Sequence, residues 1–328
     1  MNSDLSPSLA RAASTASNGN VRINVLLNTD ITDTIRAEVS SIGRIADEIT
    51  GINALVVQGK ASILDQLLAL SYVEAANPDA ERGHGPLDTV PVEDFADGLS
   101  TWDLDVINVT DEPFGSRVVA ETGEGVYVAV LDTGLVNNWR QYFPQERIAE
   151  EYARSFGGGG GEVGQVSEQP NKWEHDTDSH GTHVTSTIIG YSLGGTPFNG
   201  VAPMATIIPV KVLNQNGSGW SSVVAAGIAY IGSLKADGGP LENDPVVINM
   251  SLGGPVLDAI EKAAIDYAIA QGVIIVERNP ALGQYVDGEN KTDVEEILED
   301  VAMPIPGFGP ADSGSGLVTA DAALAATP

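Results

Sequence analysis

The sequence predicts an α/β domain built on a parallel sheet and preceded by a small α+β unit. From residue 126 onward, continuous apolar runs at 126–131, 206–212, 246–250 and 273–276 alternate with helical segments at 182–189, 221–234 and 256–270. Strands that are apolar throughout, rather than at every second position, belong to a sheet covered on both faces. Before residue 80, shorter runs follow a β-α-β-α-β rhythm, which suggests a compact split βαβ unit. Between the two, residues 81–101 mix Gly83, Gly85, Pro86 and Pro91 with acidic residues and read as a linker.

Taken in order, residues 1–20 are small and polar and are expected to be disordered; they show no apolar core of a standard secretory signal. The first unit, 21–80, opens with the apolar run 21–27 and continues into helical spacing over 30–40. A second apolar run, 55–59, precedes a helical stretch, 61–71, that sets Ile63, Leu64, Leu67 and Leu68 on one face; 72–76 forms the last strand. After the linker, WDLDVINV at 102–109 opens the second domain, 102–328. The five glycines at 157–161 lack the following helix and lysine of a phosphate cradle and read as a flexible surface loop.

The charge balance excludes whole classes of partner. Against 16 basic residues stand 45 acidic ones, for a net charge of −29 over 328 residues, a field that repels nucleic acid and anionic lipid. No apolar run approaches the length of a membrane span. Few lysines and acids spread along the whole chain resemble proteins adapted to high salt, where screening relieves self-repulsion, although a plain acidic surface has the same composition. The absence of cysteine excludes disulfides and thiol catalysis and leaves the compartment undecided.

Two short strings carry chemistry. VAVLDTGL at 128–135 places Asp132 at the end of an apolar strand, where open sheets build their sites, and DSHGTHV at 178–184 places His180 just ahead of the helical segment 182–189, whose first turn carries it over the sheet edge. A hydroxyl is a poor nucleophile at neutral pH. It needs an imidazole to take its proton and a carboxylate to fix the imidazole tautomer, and His180 and Asp132 suit those two roles.

These strings, 48 residues apart, resemble the Asp and His boxes of the subtilisin-like proteases, the subtilases. NGVAPMATIIPVKVL (199–213) is similar to the family's strand after the histidine helix, and GSGWSSVVAAGIAY (217–230) to its substrate-binding edge strand and following helix. VINMSLGG (247–254) resembles the wall of its specificity pocket. The resemblance implies a three-layer subtilisin-like parallel sheet. It also implies that Gly217, Ser218 and Gly219 pair with extended peptide backbone, and that Ser251, Leu252, Gly253 and Gly254 line a side-chain pocket. Residues 21–80 resemble the small ferredoxin-like propeptide of the family, a chaperone-inhibitor that lies on helices of the catalytic domain and sends its C-terminal tail through the cleft. An extracellular location follows from the same resemblance.

The resemblance breaks after Val276. GVIIV (272–276) leads straight into ERNPALGQYV (277–286), where the family has an oxyanion-hole turn, further strands and a GTSxA box holding the nucleophile. TDVEEIL (292–298) and GSGLVTADAALA (314–325) then match the family's last helix and closing segment. The expected domain is therefore an incomplete one with an internal deletion after 276, no assigned nucleophile, and an uncapped apolar edge at 273–276. Ser313 and Ser315 sit in a turn-like DSGSG stretch, Ser179 directly precedes His180 and does not face it, and Ser251 belongs to the pocket wall. Asn279 at the strand's end has the amide of an oxyanion donor, but lacks the preceding glycine and stands before Pro280, as a loop asparagine would.

His180 and His183 are spaced as helix-borne metal ligands, with Asp176 or Asp178 near; a third well-placed ligand is lacking, the other histidines being His84 and His175. The family reading instead makes His183 a buried helix-face residue, and no metal is assigned. No cofactor is required. Structural calcium is common in the family, yet no contiguous acidic ligand loop matches a specific site. The expected function is that of a subtilisin-like serine endopeptidase by family, inactive as written, whose partner is a polypeptide substrate or its own propeptide in the cleft. The alternatives are a non-catalytic peptide-binding pseudoprotease and a deletion fragment without function.

Overall fold

A computed structural model describes residues 20–84, 101–111, 116–157, 172–254, 257–277, 293–306 and 317–327 of the chain. The first unit runs β1 (Asn20–Leu27), α1 (Asp33–Ile42), β2 (Arg44–Ile49), β3 (Ala54–Lys60), α2 (Leu64–Leu68) and β4 (Val73–Pro78). Its strands form one antiparallel sheet in the order β2-β3-β1-β4, a β-α-β-β-α-β arrangement. Helix α1 starts where the Thr32 hydroxyl accepts the Ile35 N–H and stops at Gly43. Strand β2 is the addition to the expected rhythm. Its sequence, RIADEI, carries charges at positions where strands are usually apolar, because it is an edge strand and charge there discourages pairing with other chains.

The two faces of this sheet have different partners. Val21, Ile23, Val25, Leu55 and Val57 pack with Ile35, Val39 and Leu67 of the unit's own helices. Ala54 and Val56, one residue out of phase, join the core of the second domain. A sheet buried on both sides explains why β3 reads as one apolar run.

The chain continues through β5 (Glu81–His84), α3 (Trp102–Val106) and the short pair β6 (Thr110–Asp111) and β7 (Ser116–Arg117). The second domain then follows as β8 (Tyr127–Asp132), β9 (Arg154–Ser155), α4 (His180–Ile189), the hairpin β10 (Tyr191–Leu193) and β11 (Thr196–Phe198), β12 (Thr206–Lys211), β13 (Ser218–Trp220) and α5 (Ser221–Lys235). It ends with β14 (Val246–Met250), β15 (Leu252–Gly253), α6 (Ala259–Ala270), β16 (Ile274–Glu277), α7 (Asp293–Asp300) and α8 (Ala320–Ala326). Its sheet is parallel throughout, in the order β16-β14-β8-β12-β9.

Alternate residues of β8 define the layers. Ala129 and Leu131 face α5 and α6, whereas Val128 and Val130 face the opposite side with Trp139, Trp173 and Ile189 of α4. This is the three-layer α/β architecture that the continuous apolar strands predict. Helix α6 begins later than expected, because Asp258 forms a capping box with Glu261 and so fixes the first turn at Ala259. Among the described residues β16 pairs on one side only, with β14, and Val276 is 48% exposed, so the apolar edge lies where the sequence places it. The closing segment returns to the domain's start, where the Ala320 N–H donates to Ile107.

Residues 81–84 are more than linker. Strand β5 lies antiparallel between β13 and β15, pairing Arg82 with Gly219 and Gly83 with both Ser218 and Gly253. Its own composition gives no strand signal, and its conformation comes from two partners far away in sequence.

Candidate active site

Strand β8 delivers Asp132 to the C-terminal edge of the parallel sheet, and α4 delivers His180 as its first residue. The segment before α4 is tied to the segment after β8: the Leu135 N–H donates to Trp173 at 2.7 Å, the Asp176 N–H to Leu135 at 3.1 Å, and the Val136 N–H to the Thr182 hydroxyl at 3.0 Å. Two glycines permit this approach. A Cβ on Gly134, at φ +89, would lie 2.3 Å from the Trp173 carbonyl oxygen, and one on Gly181 would lie 2.5 Å from that of Gly134.

His180 Nδ1 lies 2.8 Å from both carboxylate oxygens of Asp132, and both residues are buried. An ionised carboxylate only accepts, so Nδ1 carries the proton and Nε2 is the ring's basic nitrogen. Asp132 also accepts the Thr133 N–H at 2.6 Å. The Thr133 hydroxyl donates to Asp176 at 2.8 Å and accepts the Gly181 N–H at 2.9 Å, which joins the two boxes a second time. Asp176 further accepts the N–H groups of Asp178 and Ser179, both at 2.9 Å, and so holds the left-handed Ser179 that launches α4. This pins the imidazole by its backbone as well as by its ring.

Behind the pair, Lys211 sits opposite Asp132 on β12, is 1% exposed and donates to the Thr133 carbonyl. Burial lowers the Lys211 ammonium below its ordinary value, against the pull of Asp176, Asp132 and Asp178. Burial likewise raises the Asp176 carboxyl, against the Asp178 N–H and Lys211. The site gathers two buried carboxylates, the half-buried Asp178 and one buried ammonium around a single imidazole.

Strands β13 and β15 form the walls of a groove, and β5 fills it. Ser218 and Gly219 pair with Gly83 and Arg82, whereas Gly217 lies in the preceding turn at φ +67 and Trp220 pairs with Glu81. Leu252 and Gly253 pair with His84 and Gly83; Ser251 accepts from the Asn249 amide, and Gly254 faces the Arg82 guanidinium. Arg82 forms a two-nitrogen ion pair with Glu261 of α6, its Nε at 2.8 Å, and both residues are 1% exposed. Beside it, Asp79 accepts from Ser221 and Ser222 at the start of α5, and the Asn24 amide reaches Asp79, Ser221 and Asp258.

His183 is exposed, contrary to the buried position that the resemblance implies, because its face of α4 turns away from the sheet. Among the described residues no group of three histidine or acidic side chains is placed to hold a metal ion. Asn279, Ser313 and Ser315 lie outside the described residues. Sequence reasoning missed Arg82, Glu261, Asp79 and Lys211, and gave Asp176 only a metal-ligand role. Of these, Glu261 alone had a local signal, the capping box Asp258-x-x-Glu261 ahead of an apolar run.

The family model described as "Subtilase family" matches residues 123–277. An extracellular serine proteinase of Thermus sp. (strain Rt41A) is 35% identical over 178 residues, covering 54% of this chain and 36% of that protein. Proteinase T of Parengyodontium album is 31% identical over 173 residues, covering 52% and 50%. Subtilisin E of Bacillus subtilis (strain 168) is 33% identical over 156 residues, covering 47% and 34%. The chain thus spans between 34% and 50% of the length of these three relatives. Fervidolysin from Fervidobacterium pennivorans, described as a keratinolytic enzyme related to subtilisin, matches 94% of this chain and 61% of its own with a TM-score of 0.64 at 20% identity, which is a likeness of fold. The Asp–His pair stands on the strand and helix of the matched stretch, and residues 123–277 carry a subtilase-family domain.

Proposed function

We propose that this chain is a peptide-binding subtilase that holds an extended segment in its groove and does not hydrolyse peptide bonds. The observation that carries the reading is β5, seated antiparallel between β13 and β15. Strand addition of this kind draws affinity from main-chain hydrogen bonds and specificity from side-chain pockets. Residues 20–84 act as an inhibitor-like unit that supplies the bound segment.

The sequence supports the absence of turnover. Asp132 and His180 provide an orienter and a general base, but the run after β16 contains no GTSxA box, and the family match ends at 277. In an intact relative, a serine hydroxyl would give its proton to the imidazole and attack the carbonyl to form an acyl-enzyme. With no serine assigned in the sequence, the proton-accepting role of His180 is not put to this use.

Labelling with a serine-directed fluorophosphonate, together with a casein hydrolysis assay, tests this. The expected result is no covalent label and no hydrolysis, with a single cooperative unfolding transition. Stoichiometric labelling overturns the reading. Loss of cooperative unfolding favours a deletion fragment without function.

A further inference from the structure

The buried pair Arg82–Glu261 has a meaning beyond holding two domains together, because Arg82 occupies the position of a bound peptide residue. Its backbone pairs with Gly219 of the groove wall, and its side chain leaves the ladder to end against Gly254 and Glu261. The pocket is shaped for that end: a Cβ on Gly254 would lie 2.5 Å from the Arg82 guanidinium, so a larger residue there would close it.

Charge selects as well as shape. Glu261 is 1% exposed, and Asp258, at the N-cap of the same helix, adds a second acid to the pocket. Burial first, and then the Asp258 charge, push the Glu261 carboxyl up to about 7 even with Arg82 beside it. Burial acts to lower Arg82, but the charge and hydrogen bond of Glu261, with the charges of Asp258 and Asp79, together raise that guanidinium. An ionised Glu261 therefore needs a cation in the pocket, and a planar guanidinium can meet both carboxylate oxygens at once. An aliphatic side chain would leave the buried carboxylate with the Asp258 N–H but without a cation.

We propose that Glu261 makes this groove selective for extended peptides carrying an arginine at the position that pairs with Gly219. The inference rests on the groove being a peptide-binding site, and adds which peptides it takes. Glu261 is the specificity-determining residue, and Gly254 gives the guanidinium room.

The test uses the full chain with Arg82→Ala and Gly83→Pro, which empties the pocket and removes an N–H from the β5 ladder. Fluorescent peptides of residues 78–84, carrying arginine, leucine or glutamate at the fifth position, are titrated by anisotropy. The arginine peptide is expected to bind roughly tenfold or more tightly than the leucine peptide, and the glutamate peptide more weakly still. Adding Glu261→Gln, which keeps the side chain's shape and the capping box, is expected to abolish that preference. Equal binding of the three peptides overturns the arginine inference and leaves the groove reading standing. Absence of binding by all three overturns the groove reading itself. Should the altered chain not fold, the same peptides are added in excess to the unaltered chain, and displacement of β5 is followed through Trp220 fluorescence. The arginine peptide must then act at the lowest concentration, and equal potency overturns the inference.

Discussion

The carboxylate of Asp79, in the first unit, accepts the backbone N–H of Ser222 at 2.9 Å and thereby caps α5 in the second domain. The helix's own N-cap residue, Trp220, makes no side-chain cap. Half of a structural motif thus resides in each domain, and Arg22, 3.0 Å from Asp79, shares the burial. Asp79→Ala leaves the Arg22 charge without its carboxylate and the Ser222 N–H without its acceptor. A loss of about 3 kcal/mol in denaturant unfolding is expected, and a loss below about 1 kcal/mol would show that the cap is dispensable.

Gly181 separates the two boxes by no more than a hydrogen atom. A methyl group there would meet the Gly134 carbonyl oxygen at 2.5 Å and the Asp132 Cβ at 3.2 Å. Gly181→Ala is expected to push α4 outward, to cost about 1–3 kcal/mol, and to remove the low-field NMR signal of the His180 Nδ1 proton. Retention of that signal would show that the sheet edge yields instead.

Asp47 of β2 gives the first unit a dependence on pH. Burial raises its carboxyl from 3.8 to about 6, against the Glu48 N–H and Arg22. The folded chain therefore keeps a proton that the unfolded chain has released between those values. The stabilisation is full below about pH 4 and is lost as pH rises through 6. Urea midpoints measured at each pH unit from 4 to 7 should show this decline, and Asp47→Asn should flatten it.

Among the described residues β16 is an apolar edge strand open to mispairing. Val276 is 48% exposed on a strand with one described neighbour, so Val276→Lys should cost less than about 0.5 kcal/mol. It should also slow the growth of light scattering on incubation, since a charge on an edge strand opposes pairing between copies. Unchanged scattering would place the aggregating surface elsewhere.

What could be read before the structure depended on how local the cause was. Strands β8, β12 and β14 announce themselves because each is buried on both faces, and Asp132 and His180 because the turns that launch them need particular neighbours. Strand β5 is invisible in Glu81, Arg82, Gly83 and His84, since both its partners lie more than a hundred residues away. The same distance hides the cluster of Asn24, Asp79, Ser221 and Asp258, whose members are ordinary polar residues until the domains meet. Strand β2 is obscured for a different reason: an edge is kept soluble by residues that strands elsewhere avoid.

The position of β5 also sets the terms on which any free peptide meets this protein. The segment is tethered by two residues, Asp79 and Ala80, to a unit already docked on α5 and α6, so its local concentration at the groove does not fall on dilution. For short tethers such effective concentrations reach the millimolar range. A peptide identical in sequence would therefore need to be present at about that level to occupy half the grooves, whatever its intrinsic affinity. On the proposed reading, release of the tether, more than improvement of the ligand, controls when this groove becomes available.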